Sequence, residues 1–393
     1  MATKKTSAKD VMKPHSEAKV NFYQKYLEIK LLILSSTSFV REVHVYDLFC
    51  GRGVYADGKT GSAIRAYETI RKVRQDRPSD KRFVLHLNDK NKKHIEAVRA
   101  YITSHYPDEH PCEVAYTCQD AGKMLRQLAA RSWYGRAVRG VLNVFFIDPY
   151  GYKEIRREFL EQLMSSGDSE ILLFLPISFM HRFTRHAFSE DVTPGAIPLR
   201  NLISEYFPAD HPIRTEDLDV QQYICYLTKA FSCGGRFYTT SYPIERNSHN
   251  QFALFFFSTS LFGYEKVLHM KWQMMDAFGF GFHQMASQEV MFEDFFKEER
   301  LNEMKEQFRV RLANFMRRAR TNGELYKFAV TNDFLPKHVN DILRDWQQAG
   351  MLQIVDMNTG EIIEKRNMFK VKYEALRNPH LRFELILLCA QRK

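Results

Sequence analysis

An apolar run, Val43-His44-Val45-Tyr46-Asp47-Leu48-Phe49, stops at Cys50-Gly51-Arg52-Gly53, and that break narrows the chain to a small set of folds. β-Branched and aromatic residues ending at two glycines one residue apart are how a nucleotide-binding α/β sheet presents its first strand. Gly51 and Gly53 lack a Cβ, so a ligand can come close to the backbone there. Asp47 sets a carboxylate near the carboxyl edge of the sheet, where such sheets bind ligands. The third glycine of the dinucleotide fingerprint is missing, which argues against a nicotinamide enzyme. A structural turn with no ligand is the plainer alternative.

The chain repeats this grammar. Strands are expected at 83–88, 113–118, 141–147 and 170–175, with helices at about 62–76, 121–131 and 153–165. An earlier helix, from Ser16 to about Ser36, carries Val20, Tyr23, Leu27, Leu31 and Leu34 at helical spacing. Strands separated by helical patterns imply a parallel sheet with crossovers, and their largely apolar character implies helices on both faces. Residues 177–235 show two helical patterns, near 197–207 and 216–231, and read as a helical insertion. Arg236 to Tyr242 and Gln251 to Ser260 read as late strands that pair antiparallel, joined by the polar segment Pro243 to Asn250. Phe278-Gly279-Phe280-Gly281-Phe282 reads as a hinge or linker, and Met291 to Arg320 as a long charged helix.

Helices at 323–330 and 336–349 come next, then a hairpin of Met351–Val355 and Glu361–Lys365 around the turn 356–360. That is the outline of a winged helix-turn-helix. The fold class is therefore α/β, a Rossmann-like sheet with a helical insertion and a C-terminal winged-helix-like domain. The expected boundaries are an arm and helix over 1–36, the sheet domain over 37–278, a linker and long helix over 279–322, and the last domain over 323–393.

Three later strand ends carry candidate chemistry. Asp89 follows the second strand, where a carboxylate accepts both hydroxyl hydrogens of a ribose or, more plainly, starts a turn or caps a helix. Asp120 follows the third, placed to accept an adenine amine, to cap the helix from Ala121, or both. The fourth strand ends in Ile147-Asp148-Pro149-Tyr150-Gly151. There the Asp148 carboxylate and a neighbouring backbone carbonyl can accept both hydrogens of an -NH₂ group. Pro149 presets the carbonyl direction through its fixed φ, and the Tyr150 ring can stack on a base. A bland Asp-Pro-Tyr-Gly turn is the alternative. His181 and His186, among Arg182 and Arg185, fit an exposed basic helix or loop better than an acid/base pair.

Composition sets the class of partner. The 393 residues carry a net charge of +10, which favours a polyanion such as nucleic acid. Lys337, Arg344, Lys365, Arg366, Lys370 and Lys372 of the last domain are candidates to hold its phosphates. The six cysteines form no C-x-x-C pair and no zinc spacing, so no metal is expected and they read as free buried thiols. No apolar stretch is long enough to span a membrane, and a cytoplasmic protein is the expectation.

Asp47-x-Phe49-x-Gly51-x-Gly53 resembles the short glycine motif of S-adenosyl-L-methionine (SAM) methyltransferases. More specifically, three segments resemble the three-Cys-motif partner proteins. These are Lys19 to Leu27 with Ile33-Leu34, Tyr46 to Gly58 followed by Gly61-Ser62, and Phe146 to Tyr152. The match spans roughly 16–180. Cys50-Gly51-Arg52 departs from the family's more usual Ala-Gly-Pro, and Leu48 is larger than the residue often found there. The resemblance implies a class I methyltransferase fold and SAM as cofactor; the reading of the strand ends puts Asp47, Phe49, Gly51, Gly53, Asp89 and Asp120 around it and makes Asp148, Pro149 and Tyr150 the catalytic candidates. It also implies a protein partner, a radical-SAM-like protein carrying three cysteines. Asp148-Pro149-Tyr150-Gly151 is similar to the motif of tRNA guanine-N2 dimethyltransferases, whereas adenine amino-methylating enzymes carry a second proline. The leading expectation is an N-methyltransferase acting on an exocyclic amine of a nucleobase in DNA or RNA. The alternative is a non-catalytic nucleic-acid-binding accessory protein on the same fold.

Overall fold

The computed structural model describes residues 11–134, 139–247, 250–278, 282–283, 290–365 and 368–386. The chain divides into two compact units, Met1–Gln284 and Met285–Lys393.

In the first unit the helix α1 (Pro14–Ser35) precedes β1 (Glu42–Asp47), α2 (Ser62–Asp76), β2 (Arg82–Asn88), α3 (Lys92–His105) and β3 (Glu113–Thr117). Then come α4 (Ala121–Tyr134), β4 (Val141–Ile147), α5 (Arg157–Ser165) and β5 (Ser169–Leu175). Four helices follow: α6 (Ile177–Ala187), α7 (Ile197–Tyr206), α8 (Pro212–Thr215) and α9 (Val220–Phe231). The unit closes with β6 (Tyr238–Asn247), β7 (Asn250–Ser258), α10 (Leu261–Phe278) and β8 (Phe282–His283).

The strands form one sheet of order β3-β2-β1-β4-β5-β7-β6-β8. β1 through β5 run parallel, and β7 is reversed between β5 and β6. This is the expected Rossmann-like sheet, with the expected late antiparallel pair. Every residue of β5 is buried, as a central parallel strand covered on both faces requires. Successive side chains go to opposite faces, so Phe146 stacks on Tyr23 of α1 at 4.3 Å while Phe145 stacks on Tyr46 at 4.6 Å. The core on the Tyr46 and Phe145 side is closed by α4, α5, α6, α7 and α9.

Several expectations need correction. Among the described residues, α3, with Ile95, Val98 and Ile102 buried, the short α8 inside the insertion and α10 after the last long strand are helices the sequence pattern does not mark. The His181–His186 segment lies in the helix α6 rather than a loop. The segment read as a polar joint after Tyr242 is strand: β6 and β7 pair as far as Asn247↔Asn250, past a bulge. α5 starts at Arg157 rather than 153, because the backbone at Arg156 is extended. Cys118 and Cys225 are exposed thiols, not buried ones. Residues 279–281 of the expected hinge lie outside the described residues.

The second unit holds α11 (Val290–Phe315), β9 (Arg320–Thr321), α12 (Asn322–Thr331), α13 (Pro336–Gln348), β10 (Leu352–Asp356) and β11 (Leu381–Leu385). α11 stops short of the expected 320 because Arg320 and Thr321 join a sheet of order β10-β11-β9. Thr321 then caps α12 through a capping box with Glu324. The expected hairpin is reduced to a single bridge, Val355↔Ile362, and the full partner of β10 is β11. The reason is side-chain pattern. Leu381-Arg382-Phe383-Glu384-Leu385 alternates strictly and buries Leu381 and Phe383, whereas Glu361 and Ile362 stay exposed. Among the described residues no helix is long and apolar enough to cross a membrane.

Candidate active site at the carboxyl edge

Strand order reverses between β1 and β4, and the crevice outside the carboxyl ends of those strands is where open α/β sheets bind ligands. The sequence-predicted residues divide around this crevice.

Asp47 ends β1 fully buried. One carboxylate oxygen accepts the Phe49 N–H at 3.3 Å, and the other, Oδ2, makes no hydrogen bond. Burial pushes this carboxyl up to about 7, with a further push from Asp148, while Ser62, the Phe49 amide and Lys19 pull it down.

The two glycines have different jobs. Gly51 (φ +60°) has open space where a Cβ would project. Gly53 (φ +78°) faces the protein, where a Cβ would come within 2.7 Å of Val98 Cγ2. Gly51 therefore opens toward a ligand, and Gly53 lets α3 pack close.

Asp89 is buried beside this turn. Its Oδ2 accepts the Gly51 N–H at 3.1 Å and its Oδ1 accepts the Asn91 N–H at 2.8 Å. It thus clamps the glycine turn, and a carboxylate with about four acceptor positions keeps capacity for a ligand hydroxyl. Asn88, which sequence reading passed over, completes the clamp. Its buried Nδ2 donates to the carbonyls of Leu48 and Gln119, each at 3.1 Å, joining the ends of β1, β2 and β3. A polar residue at the end of an apolar strand was the available signal.

Asp120 is exposed and accepts the Lys123 N–H at 2.9 Å, which makes it the cap of α4. Phe49 meets Tyr150 edge-on at 6.3 Å.

At the end of β4, Pro149 is buried and Tyr150 is 74% exposed, with Lys90 Nζ 5.5 Å from its ring centre. Asp148 Oδ2 is ion-paired to Lys19 Nζ from α1, both side chains largely shielded. Tyr152 anchors the turn by donating to the Pro176 carbonyl at 3.2 Å, and its ring stacks on Phe179 of α6 at 6.0 Å. Asp47, Gly51, Asp89, Asp148 and Tyr150 therefore share one edge.

His181 and His186 stand apart on α6. His181 Nε2 donates to the Leu218 carbonyl at 2.6 Å, beside a cavity of about 480 Å³ lined in part by Arg182, Arg185, Glu216 and Asp217. In the second unit Lys337, Lys365, Lys370 and Lys372 are exposed, Arg344 pairs with Asp341 at 2.9 Å, and Arg366 lies outside the described residues.

No protein-family profile and no curated protein matches the sequence. Among solved structures, the O-methyltransferase from Bacillus cereus in complex with SAH is similar at 14% identity and TM-score 0.32, over 64% of this chain and 84% of that one. Magnesium protoporphyrin IX methyltransferase from Synechocystis with bound SAH is similar at 12% identity and TM-score 0.30, over 63% and 90%. Spermidine synthase in complex with the transition-state analogue AdoDATO gives 12% identity and TM-score 0.30, over 61% and 59%. The fold assignment rests on the strand order and polarity themselves.

Proposed function

We propose that this edge binds SAM and methylates an exocyclic amine of a nucleobase in DNA or RNA. The carrying observation is the juxtaposition of the shielded Asp148 carboxylate with the exposed Tyr150 ring, on the same edge as the open Gly51 turn. Two features fit the cofactor: the space over Gly51 admits a ligand, and Asp47 Oδ2, buried at the end of the same strand, has no hydrogen-bond partner of its own. Asp47, Gly51 and Asp89 would hold it, and bound there it supplies an electrophilic methyl group. Asp148 Oδ1 accepts one amine hydrogen and aims the nitrogen lone pair, while Tyr150 stacks on the base.

The net charge of +10 and the exposed lysines of the second unit support a nucleic-acid partner. The helices α12 and α13 followed by an antiparallel sheet support a winged-helix-like reading of that unit. Membership of the three-Cys-motif partner group, with its companion protein, extends the same reading. Tritiated methyl transfer from SAM to mixed DNA and RNA, followed by nucleoside analysis, tests it. Label on a base amine is the expected result, and label on cytosine C5 or ribose would refute the amine mechanism. SAM binding without transfer to any nucleic acid would favour the accessory-protein reading.

Two outcomes follow for the cofactor. Gly51→Val should abolish SAM binding by calorimetry while the circular-dichroism spectrum stays native, because its side chain enters ligand space; the φ of +60° adds backbone strain that lowers the melting temperature somewhat. Gly53→Val should lower the melting temperature further, because its Cβ also meets Val98. Equal SAM affinity in Gly51→Val and parent would remove the cofactor from this turn.

Asp47 predicts a pH dependence. Its folded-state value of about 7 lies above the ordinary 3.8, so the folded state holds a proton that the unfolded state has lost between those values. Stability from this group is therefore present at low pH and is lost as pH rises through 7. A cation beside it favours the ionised form, so SAM affinity should rise with pH, by up to about tenfold per unit below 7. Calorimetry at pH 6, 7 and 8 should show the trend in the parent and a flat profile in Asp47→Asn.

A further inference from the structure

Lys19 comes from a helix outside the alternating strand–helix pattern, 129 residues from Asp148 in sequence, yet its ammonium sits on the carboxylate assigned to the substrate amine. Its side chain is 12% exposed and that of Asp148 23%, and the ammonium lies 4.5 Å from the centre of the Phe174 ring. Two ordinary explanations are weak. The pair is not needed to hold α1 on the sheet, since Tyr26 and Lys30 also do so through Glu170. Nor is it a surface ion pair, because both members are mostly shielded from water.

We propose that Lys19 is a specificity-determining residue that makes the amine seat electrically neutral, so that the seat takes a neutral conjugated amine and rejects an alkylammonium. The inference rests on reading Asp148 as the acceptor of the substrate amine. A lone shielded carboxylate attracts any cation, and an aliphatic amine, with a pKa near about 10.4, is a cation at neutral pH. Paired with Lys19, Asp148 has its charge already cancelled. An incoming ammonium then adds an uncompensated charge in a shielded place, facing Lys19 as a like charge. The exocyclic amine of a nucleobase is uncharged and meets no such penalty. It needs one acceptor, and Asp148 Oδ1 remains after Oδ2 is taken by Lys19. Lysine side chains and polyamines are thereby excluded as substrates.

The full-length chain tests this without turnover. Binding of n-butylammonium, 9-methyladenine and 1-methylcytosine is followed by ligand-observed NMR. Lys19→Gln should bind n-butylammonium about tenfold or more tighter than the parent, since it uncovers one charge. Lys19→Arg should keep the parent's rejection, and Lys19→Gln with Asp148→Asn should lose the gain. The neutral bases should not distinguish Lys19→Gln from the parent. No gain in Lys19→Gln, or a gain that survives Asp148→Asn, overturns the proposal. A purely structural Lys19 would lower the melting temperature without changing the selectivity. Should Lys19→Gln not fold, Asp148→Asn supplies the reciprocal test: its uncompensated Lys19 should gain acetate binding by about tenfold, and no gain overturns the proposal equally. Failure of the methylation reading shows separately, as no methyl transfer to nucleic acid by the parent.

Discussion

Asp148→Ala should lower methyl transfer by about 10²–10³, the usual loss when one preorganised polar contact to the reacting group is removed. SAM should still bind, because the glycine turn is held by Asp89 and Asn88 rather than by Asp148. Binding should be weaker than to the parent, since the uncovered Lys19 ammonium opposes a cationic ligand. Single-turnover rates separate the two effects. A variant that loses rate and SAM binding together would place Asp148 among the cofactor contacts. Asp148→Asn keeps the shape but gives up the charge opposite Lys19, so it should recover only part of the rate.

Glu170→Ala should cost about 3–5 kcal/mol of stability, the range for removing one partner of a buried ion pair. Glu170 is buried in β5, accepting from Tyr26 Oη, from Lys30 Nζ at 2.7 Å and from Ser258 Oγ at 3.0 Å. α10 makes room for it with Gly263, where a Cβ would lie 2.5 Å from Oε1. The truncation therefore strands Lys30 and Tyr26 together, while Ser258 Oγ keeps its bonds to the Ser260 backbone. For a unit of this size the loss corresponds to roughly 10 °C in melting temperature. Glu170→Gln keeps a hydrogen-bonding group of the same shape and should fall between parent and alanine. A melting curve unchanged in Glu170→Ala would mean that α1 is held by its apolar face alone.

What could be read from sequence follows from how local each signal is. β1 and β4 are short apolar runs with sharp ends, so Asp47, Gly51, Gly53 and Asp148 could be placed on one edge before any coordinates. α3 is absent from the expected elements although a helix cap is one reading of Asp89; the cap is Asn91, which accepts the Lys93 N–H. The last hairpin was misread because the turn at Asp356 is real, with Asn358 N–H bound to its carboxylate at 2.8 Å, but pairing is decided by the alternation in β11. Lys19 was out of reach altogether. A contact across 129 residues leaves no trace in spacing, and a lysine on an amphipathic helix reads as solvated. The same holds for the orphaned oxygen of Asp47, since burial depends on what packs above the strand.

The attachment of α1 also has a consequence for synthesis. This helix leaves the ribosome before its anchor: Glu170 follows Tyr26 by 144 residues, and the other hydroxyl on that carboxylate, from Ser258, comes 88 residues later still. At about 5–20 residues per second, the newborn helix waits on the order of ten seconds or more with Tyr23, Leu27 and Leu31 uncovered. Any nascent chain halted before β5 leaves that stripe uncovered, so an incomplete copy differs from a finished one in the apolar surface of its first helix.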